Sequence, residues 1–349
     1  MYSFKSLFLL LPTLLNANRL LNSLNLNGQS FDLTAKPYLT SETSPFGPYI
    51  EGTGVSPDGT LYAVDYGSNT TLHQLGSITH SSLFYAHNDS NSWFNSIRFL
   101  SGTELVTGDV RLHSILKLKL ANNDIDKIES SILCQDDELL QPNDLAITNN
   151  GKFIYTSGMK FVKDNKIGDG DVWVCDSNVG SFKRLLKLGR TNGIEVSPDD
   201  RYLYVSESFN KGGAPSSQVI WKYTIDGTNG ELSEKEKFID FQEVDGSVEY
   251  DIDGMRTDIE GNLFVTRHGQ GKVMVFDKEG NVLGQVRLNI IKPTNLEFGG
   301  DKGDTLYIVG QCPEYHKTEG VGKGCVDRIK LEVMGRAFFN LNVKRESDY

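Results

Sequence analysis

The sequence predicts an all-β fold, a six-bladed β-propeller with four-stranded blades, and three observations carry that prediction. First, one frame recurs six times: Glu51-GTGVSPDGTLYAVD, Asn95-SIRFLSGTELVTGD, Asn143-DLAITNNGKFIYTSG, Asn192-GIEVSPDDRYLYVSES, Asp253-GMRTDIEGNLFVTRHG and Asn295-LEFGGDKGDTLYIVG. In each, a polar anchor opens a short alternating strand, a turn rich in Gly, Asn and Asp follows, and an apolar run forms a second strand. The first apolar residue of that run lies 10, 10, 10, 11, 10 and 11 residues after the anchor, so the geometry repeats. Second, a further strand recurs downstream as TLHQL, SILKLKL, DVWVCD, VIWKYTID, KVMVFDKEG and CVDRIKL. Third, successive anchors are 44, 48, 49, 61 and 42 residues apart, room for four strands and their loops. Two packed β-domains would fit the strand count but give no reason for six matching anchors.

The elements follow in order. Residues 1–17 carry one cation, Lys5, and an apolar run from Leu7 to Leu15, too short to span a bilayer but suited to a secretory signal. The expected location is therefore outside the cell or in the secretory pathway, and no later segment has the length of a membrane helix. The propeller is expected over residues 31–349 as one domain. Its first tract, FDLTAKPYL at Phe31 to Leu39, is placed to supply the outer strand of the last blade and close the ring. Glycine, 35 of 349 residues, exceeds the usual roughly 7%, as repeated turns demand. A net charge of -11 supplies no basic field for a phosphate backbone, so nucleic acid is not an expected partner. A monomer acting on a small molecule is expected.

Secretion would give meaning to two glycosylation sequons, at Asn69 and Asn88. The four cysteines lack the close spacing of zinc sites. Cys312 and Cys325 are expected to pair across a short glycine-containing loop, whereas Cys134 and Cys175 read equally well as buried free thiols.

In a propeller the innermost strands begin at one face beside the channel, so the anchors Glu51, Asn95, Asn143, Asn192, Asp253 and Asn295 should converge there. Amide oxygens with two carboxylates form an all-oxygen set of charge -2, suited to a hard divalent cation, Ca²⁺ first, with Mg²⁺, Mn²⁺ or Zn²⁺ as alternatives. The competing reading is that each anchor satisfies local backbone donors at a strand start.

At these residues the sequence resembles the SMP-30/gluconolactonase/LRE-like propellers, which include regucalcin. The stretches PYIEGTGVSPDG, QPNDLAITNNGKFIYTSG, TNGIEVSPDDRYLYVSES, DIDGMRTDIEGNLFVTRHGQGKVMVFDKEGNVL and KPTNLEFGGDKGDTLYIVG carry the resemblance, from about Gly47 to Leu331. It implies a divalent cation held by Glu51, Asn192 and Asp253, with Asn143 as ligand or substrate contact. One position departs: many members have an arginine two residues before the ND asparagine that helps bind sugar acids, and here Gln141 stands there. Arg256 and Arg267 are candidate replacements, and Asn95 and Asn295 candidate substrate contacts. Strand order also returns Glu207 and His268 to the pocket face, with surface solvation favoured for Glu207.

The resemblance implies hydrolysis of a lactone or related ester. A cation would polarise the carbonyl, Asp253 would act as general base on water, and His268 would shuttle protons. No GxSxG elbow occurs, and the SPDG and SPDD serines, Ser56 and Ser197, lie in expected turns, which argues against serine hydrolase chemistry. Two rivals stay open: a phosphotriesterase-like hydrolase using the same oxygen cage, and a secreted binding propeller whose cation is structural.

Overall fold

The computed structural model describes residues 30–66, 74–86, 92–120, 128–314 and 322–347. The expected signal segment 1–17 and the sequons at Asn69 and Asn88 lie outside the described residues.

The recurring frame becomes a recurring antiparallel sheet. The first sheet holds Ile50–Val55, Leu61–Asp65, Gln74–Ser77 and Ser82–Ala86, and the second Phe94–Phe99, Glu104–Asp109, Ser114–Leu120 and Ile128–Gln135. The third holds Gln141–Ile147, Phe153–Met159, Gly170–Asp176 and Ser181–Leu188; the fourth, Ile194–Val196, Tyr202–Lys211, Ala214–Ile225 and Leu232–Asp240. The fifth is built on Asp251–Thr257, Leu263–His268, Lys272–Phe276 and Val282–Arg287, the sixth on Lys292–Gly299, Thr305–Gln311 and Gly324–Lys330. Each innermost strand packs on the next, and the strand at Lys292 packs back on the one at Ile50, which closes a ring around a channel. Apolar side chains between neighbouring sheets form the core.

The expectation of six four-stranded blades is corrected. Among the described residues five sheets have four strands and one has five, because the tract at Phe31 divides between two sheets. Phe31–Thr34 runs parallel to Val282–Arg287 and adds a fifth strand to the fifth sheet. Lys36–Leu39 pairs antiparallel with the strand at Gly324 and completes the sixth. Ala35, buried between them, donates its N–H to the Arg287 carbonyl at 2.9 Å. One short tract thus ties two adjacent sheets together.

Close approach of the inner strands explains the glycine after several anchors. At Gly52, φ is +26° and an added Cβ would lie 2.3 Å from the Asn95 carbonyl oxygen. At Gly193 the corresponding contact, with the Asp253 carbonyl oxygen, is 2.1 Å. Both distances are far inside van der Waals contact, so only a hydrogen fits.

Both cysteine pairs are bridged. Cys312–Cys325 closes the hairpin of the sixth sheet, and Cys134–Cys175 joins the second sheet to the third. Free thiols at Cys134 and Cys175 are therefore corrected; adjacency of those two strands across a blade boundary is invisible in sequence spacing. A C-terminal helix, Arg336–Ser347, packs on the innermost strand of the sixth sheet. Its first residue, Arg336, enters the channel end opposite the anchors, beside Val55, Phe99 and Ile147. Among the described residues no helix is long and apolar enough to cross a membrane.

Candidate active site at the channel mouth

The anchors sit where the inner strands break register. Pairing skips Gly52 between Glu51 and Thr53, Asn143 and Asp144 between Pro142 and Leu145, and Asp253 and Gly254 between Ile252 and Met255. A β-bulge of this kind re-aims a side chain that regular alternation would send sideways. Asn192 precedes the short inner strand Ile194–Val196, held by its N–H to Ser206 Oγ at 3.0 Å and by its carbonyl, which accepts from Ser157 Oγ.

These devices bring Glu51, Asn143, Asn192, Asp253 and His268 around one cavity of about 360 Å³. That volume lies at the lower end of the ~300–1,000 Å³ typical of small-molecule sites. His268, at the end of the strand paired with the Asp253 strand, places Nδ1 3.4 Å from Asp253 Oδ2. Burial pushes the Asp253 carboxyl above the ordinary aspartate range, opposed by His268. Glu51 is raised further, by its recessed position and then by repulsion from Asp253. Two carboxyl groups of raised proton affinity in one cavity create a demand for positive charge.

The residues present fit a divalent cation. Asn192 Oδ1 is buried without a hydrogen-bond partner, an acceptor with nothing to accept. Together with Glu51, Asp253 and Asn143 it makes an all-oxygen donor set of the kind hard cations take. Among the described residues no group of three His, Cys, Asp or Glu side chains is arranged to hold a metal, so a site here depends on its amide oxygens.

Four other expected contacts lie elsewhere. Arg256 does not reach the cavity. It is buried below it, with Nη1 3.2 Å from Asp144 Oδ2 and Nε 3.0 Å from Glu297 Oε2. Asn295 turns into the same network, its Oδ1 accepting from Arg256 Nη2 at 2.8 Å and Thr53 Oγ1 at 3.2 Å. Asn95 is buried under Gly52. Arg267 is enclosed with its guanidinium 3.4 Å above the Phe241 ring and bonded to Ser247. Arg256 and Arg267 therefore do not replace an arginine at Gln141, whose own amide donates to Tyr66 Oη at 2.9 Å. Glu207 is likewise internal, accepting from Gly189 N at 2.6 Å and Trp221 Nε1 at 2.6 Å.

Sequence reasoning missed Arg190, Lys292, Tyr66, Met159, Phe161 and Gln311, which line the cavity. It also missed the charged plug beneath, where Arg98 Nη2 meets Asp144 Oδ1 at 2.7 Å and Arg336 Nη1 meets Glu195 Oε1 at 3.1 Å. A signal existed for the plug: Arg98, Asp144, Glu195, Arg256 and Glu297 each follow an anchor by one to three residues in a strand expected to be internal.

The fold and this mouth define a propeller with a polar, acid-amide channel pocket. The chain belongs to the SMP-30/gluconolactonase/LRE-like family, whose profile matches residues 51–311. It is similar to pentonolactonase XacC of Haloferax volcanii, 26% identical over 45% of this chain and 53% of that protein. It is also similar to a gluconolactonase of Zymomonas mobilis, 34% identical over 35% of this chain and 32% of that one. These matches span about half or less of the curated relatives' length. Among solved structures, a calcium-binding protein, regucalcin, from Agrobacterium tumefaciens superposes with a TM-score of 0.68 at 16% identity, over 88% of this chain and 97% of that one, a likeness of fold.

Proposed function

We propose that the chain is a metal-dependent lactonase that opens a lactone or related ester at the channel mouth. The observation that carries this reading is the convergence of Glu51 and Asp253 on one cavity beside the orphaned Asn192 Oδ1. A divalent cation, Ca²⁺ first among candidates, held by Glu51, Asn143, Asn192 and Asp253, would polarise the carbonyl and offset the charge that develops on its oxygen.

The remaining work falls to this chain's side chains. Water adds its oxygen to the lactone carbonyl carbon while an Asp253 carboxylate oxygen takes its proton. The ring C–O bond then breaks, and the departing oxygen receives a proton relayed through His268, giving a hydroxy acid. Asn143 and Gln311 supply hydrogen bonds that orient the ring from the cavity wall. Location in the secretory pathway belongs to the same proposal, supported by two disulfides.

The test is turnover of a lactone panel by chelator-treated protein before and after Ca²⁺, Mg²⁺, Mn²⁺ or Zn²⁺ is supplied. Recovery with metal, and its loss in Asp253→Asn, is expected; activity that survives both chelation and substitution would refute the reading.

A further inference from the structure

The cavity is chemically divided. Five of its six charged groups, Arg190, Asp251, Asp253, His268 and Lys292, stand on the fourth, fifth and sixth sheets or the loops leading into them, and the sixth, Glu51, stands on the first. On the other side Tyr49 and Tyr66 flank the first sheet, while Met159 and Phe161 end and follow a strand of the third. The apolar wall is fixed in place. Tyr66 donates its N–H to the Tyr49 carbonyl at 2.8 Å, and its ring meets Trp93 edge-on at 6.0 Å. Trp93 in turn carries the Arg111 guanidinium at 3.9 Å.

Exposed apolar side chains stand on this wall and on the chain segments that adjoin the mouth. Among the described residues eight large hydrophobic side chains are exposed, and five of them are Tyr49, Phe161, Val162, Ile167 and Ile291. Tyr49 and Phe161 line the mouth, Val162 and Ile167 share the Phe161 loop, and Ile291 adjoins Lys292. Scattered hydrophobic residues need no explanation, but a concentration around one cavity does. Folding of the loop does not account for it. The loop is held by polar contacts, from Asn165 Nδ2 to the Ser208 carbonyl at 2.7 Å and from Gly213 N to the Lys163 carbonyl at 3.0 Å. Phe161, 69% exposed, belongs to none of the core clusters.

A fully hydroxylated sugar lactone would turn some of its hydroxyls onto Met159, Phe161 and the ring faces of Tyr49 and Tyr66, which cannot pair them, and burying an unpaired hydroxyl is costly. A ligand with one polar and one apolar end satisfies both halves. Resting on the lactonase reading above, we propose that the preferred substrate is a lactone bearing an alkyl or aryl substituent. Its ring faces Asp253 and His268, and its apolar group lies between the Tyr49–Tyr66 pair and Met159–Phe161. Phe161 is then a specificity-determining residue.

The experiment compares kcat/KM for glucono-δ-lactone, unsubstituted δ-valerolactone and δ-lactones with alkyl chains of one to seven carbons, using wild-type protein and Phe161→Ser. The expected result is a rise of about three- to fourfold per methylene until the mouth is filled. In Phe161→Ser the ratio between long-chain and unsubstituted lactones should fall, with thermal stability unchanged. Turnover that favours the polyol lactone with a flat response to chain length overturns this proposal and leaves the lactonase reading standing. No turnover of any lactone, with metal supplied, overturns the lactonase reading and this proposal with it. Vesicle binding lost in Phe161→Ser, with a flat chain-length response, assigns the exposed apolar side chains to a lipid surface and likewise overturns it.

Discussion

His268 Nδ1 lies 3.4 Å from Asp253 Oδ2, at the ends of two paired strands of the fifth sheet. The bulge that skips Asp253 and Gly254 turns the carboxyl toward the channel, and the neighbouring strand ends with His268 beside it. His268→Asn removes the proposed proton relay but keeps a polar side chain. Its kcat for lactone opening should fall by about 10²-fold or more, with the melting temperature close to wild type. Steady-state kinetics and calorimetry on one preparation decide this.

Arg256 separates structural from substrate-binding arginines. Its guanidinium contacts Asp144, Glu297 and Asn295 with almost no solvent exposure. Against the cost of burial, Arg98 and Arg256 hold Asp144 below the usual carboxylate range. Arg256→Met leaves buried carboxylates short of a partner and should destabilise the protein by about 3–5 kcal/mol in urea unfolding. A raised KM with unchanged stability would show instead that Arg256 contacts substrate.

The two disulfides should differ in worth. Cys134–Cys175 closes 41 residues of separation and Cys312–Cys325 closes 13. By loop entropy their removal should cost about 4 and about 3 kcal/mol respectively. Paired Cys→Ser variants, unfolded in denaturant, test the order; an inverted order would mean that local strain outweighs chain entropy.

Asp258 carries a pH signature away from the cavity. Burial raises its carboxyl to about 7, although it accepts from Glu260 N, Asn262 N and Asn262 Nδ2. The folded state therefore holds a proton that the unfolded chain releases near the ordinary aspartate value. Its stabilising contribution is complete below that value and is lost as pH rises toward about 7. Asp258→Asn should flatten the fall in stability between about pH 4 and pH 7 relative to wild type, as thermal melts across that range would register.

The repeat made much of this protein legible, for a physical reason. Identical strand-turn-strand units leave identical spacing, and the glycines after Glu51 and Asn192 record how closely the inner strands approach. Glu51, Asn143, Asn192, Asp253 and His268 were within reach because each stands at a fixed strand end. Asn95 and Asn295 share that frame, yet they lie under neighbouring backbone or in the charged plug, because small register shifts decide which side chain faces the mouth. The division of Phe31 to Leu39 between two sheets, the Cys134–Cys175 bridge and the entry of Arg336 into the channel depend on contacts remote in sequence. The apolar mouth was missed because Phe161 and Tyr49 lie in loops, outside any strand pattern.

The proposed chemistry depends on one divalent cation binding to the acid-amide set at the mouth. Calorimetric titration of Ca²⁺, and then Mn²⁺, into chelator-treated protein tests it most directly. One site per chain is expected, weakened by on the order of tenfold or more in Asn192→Ala and in Asp253→Asn. Absence of binding by the wild-type protein, or an affinity indifferent to both substitutions, would contradict it.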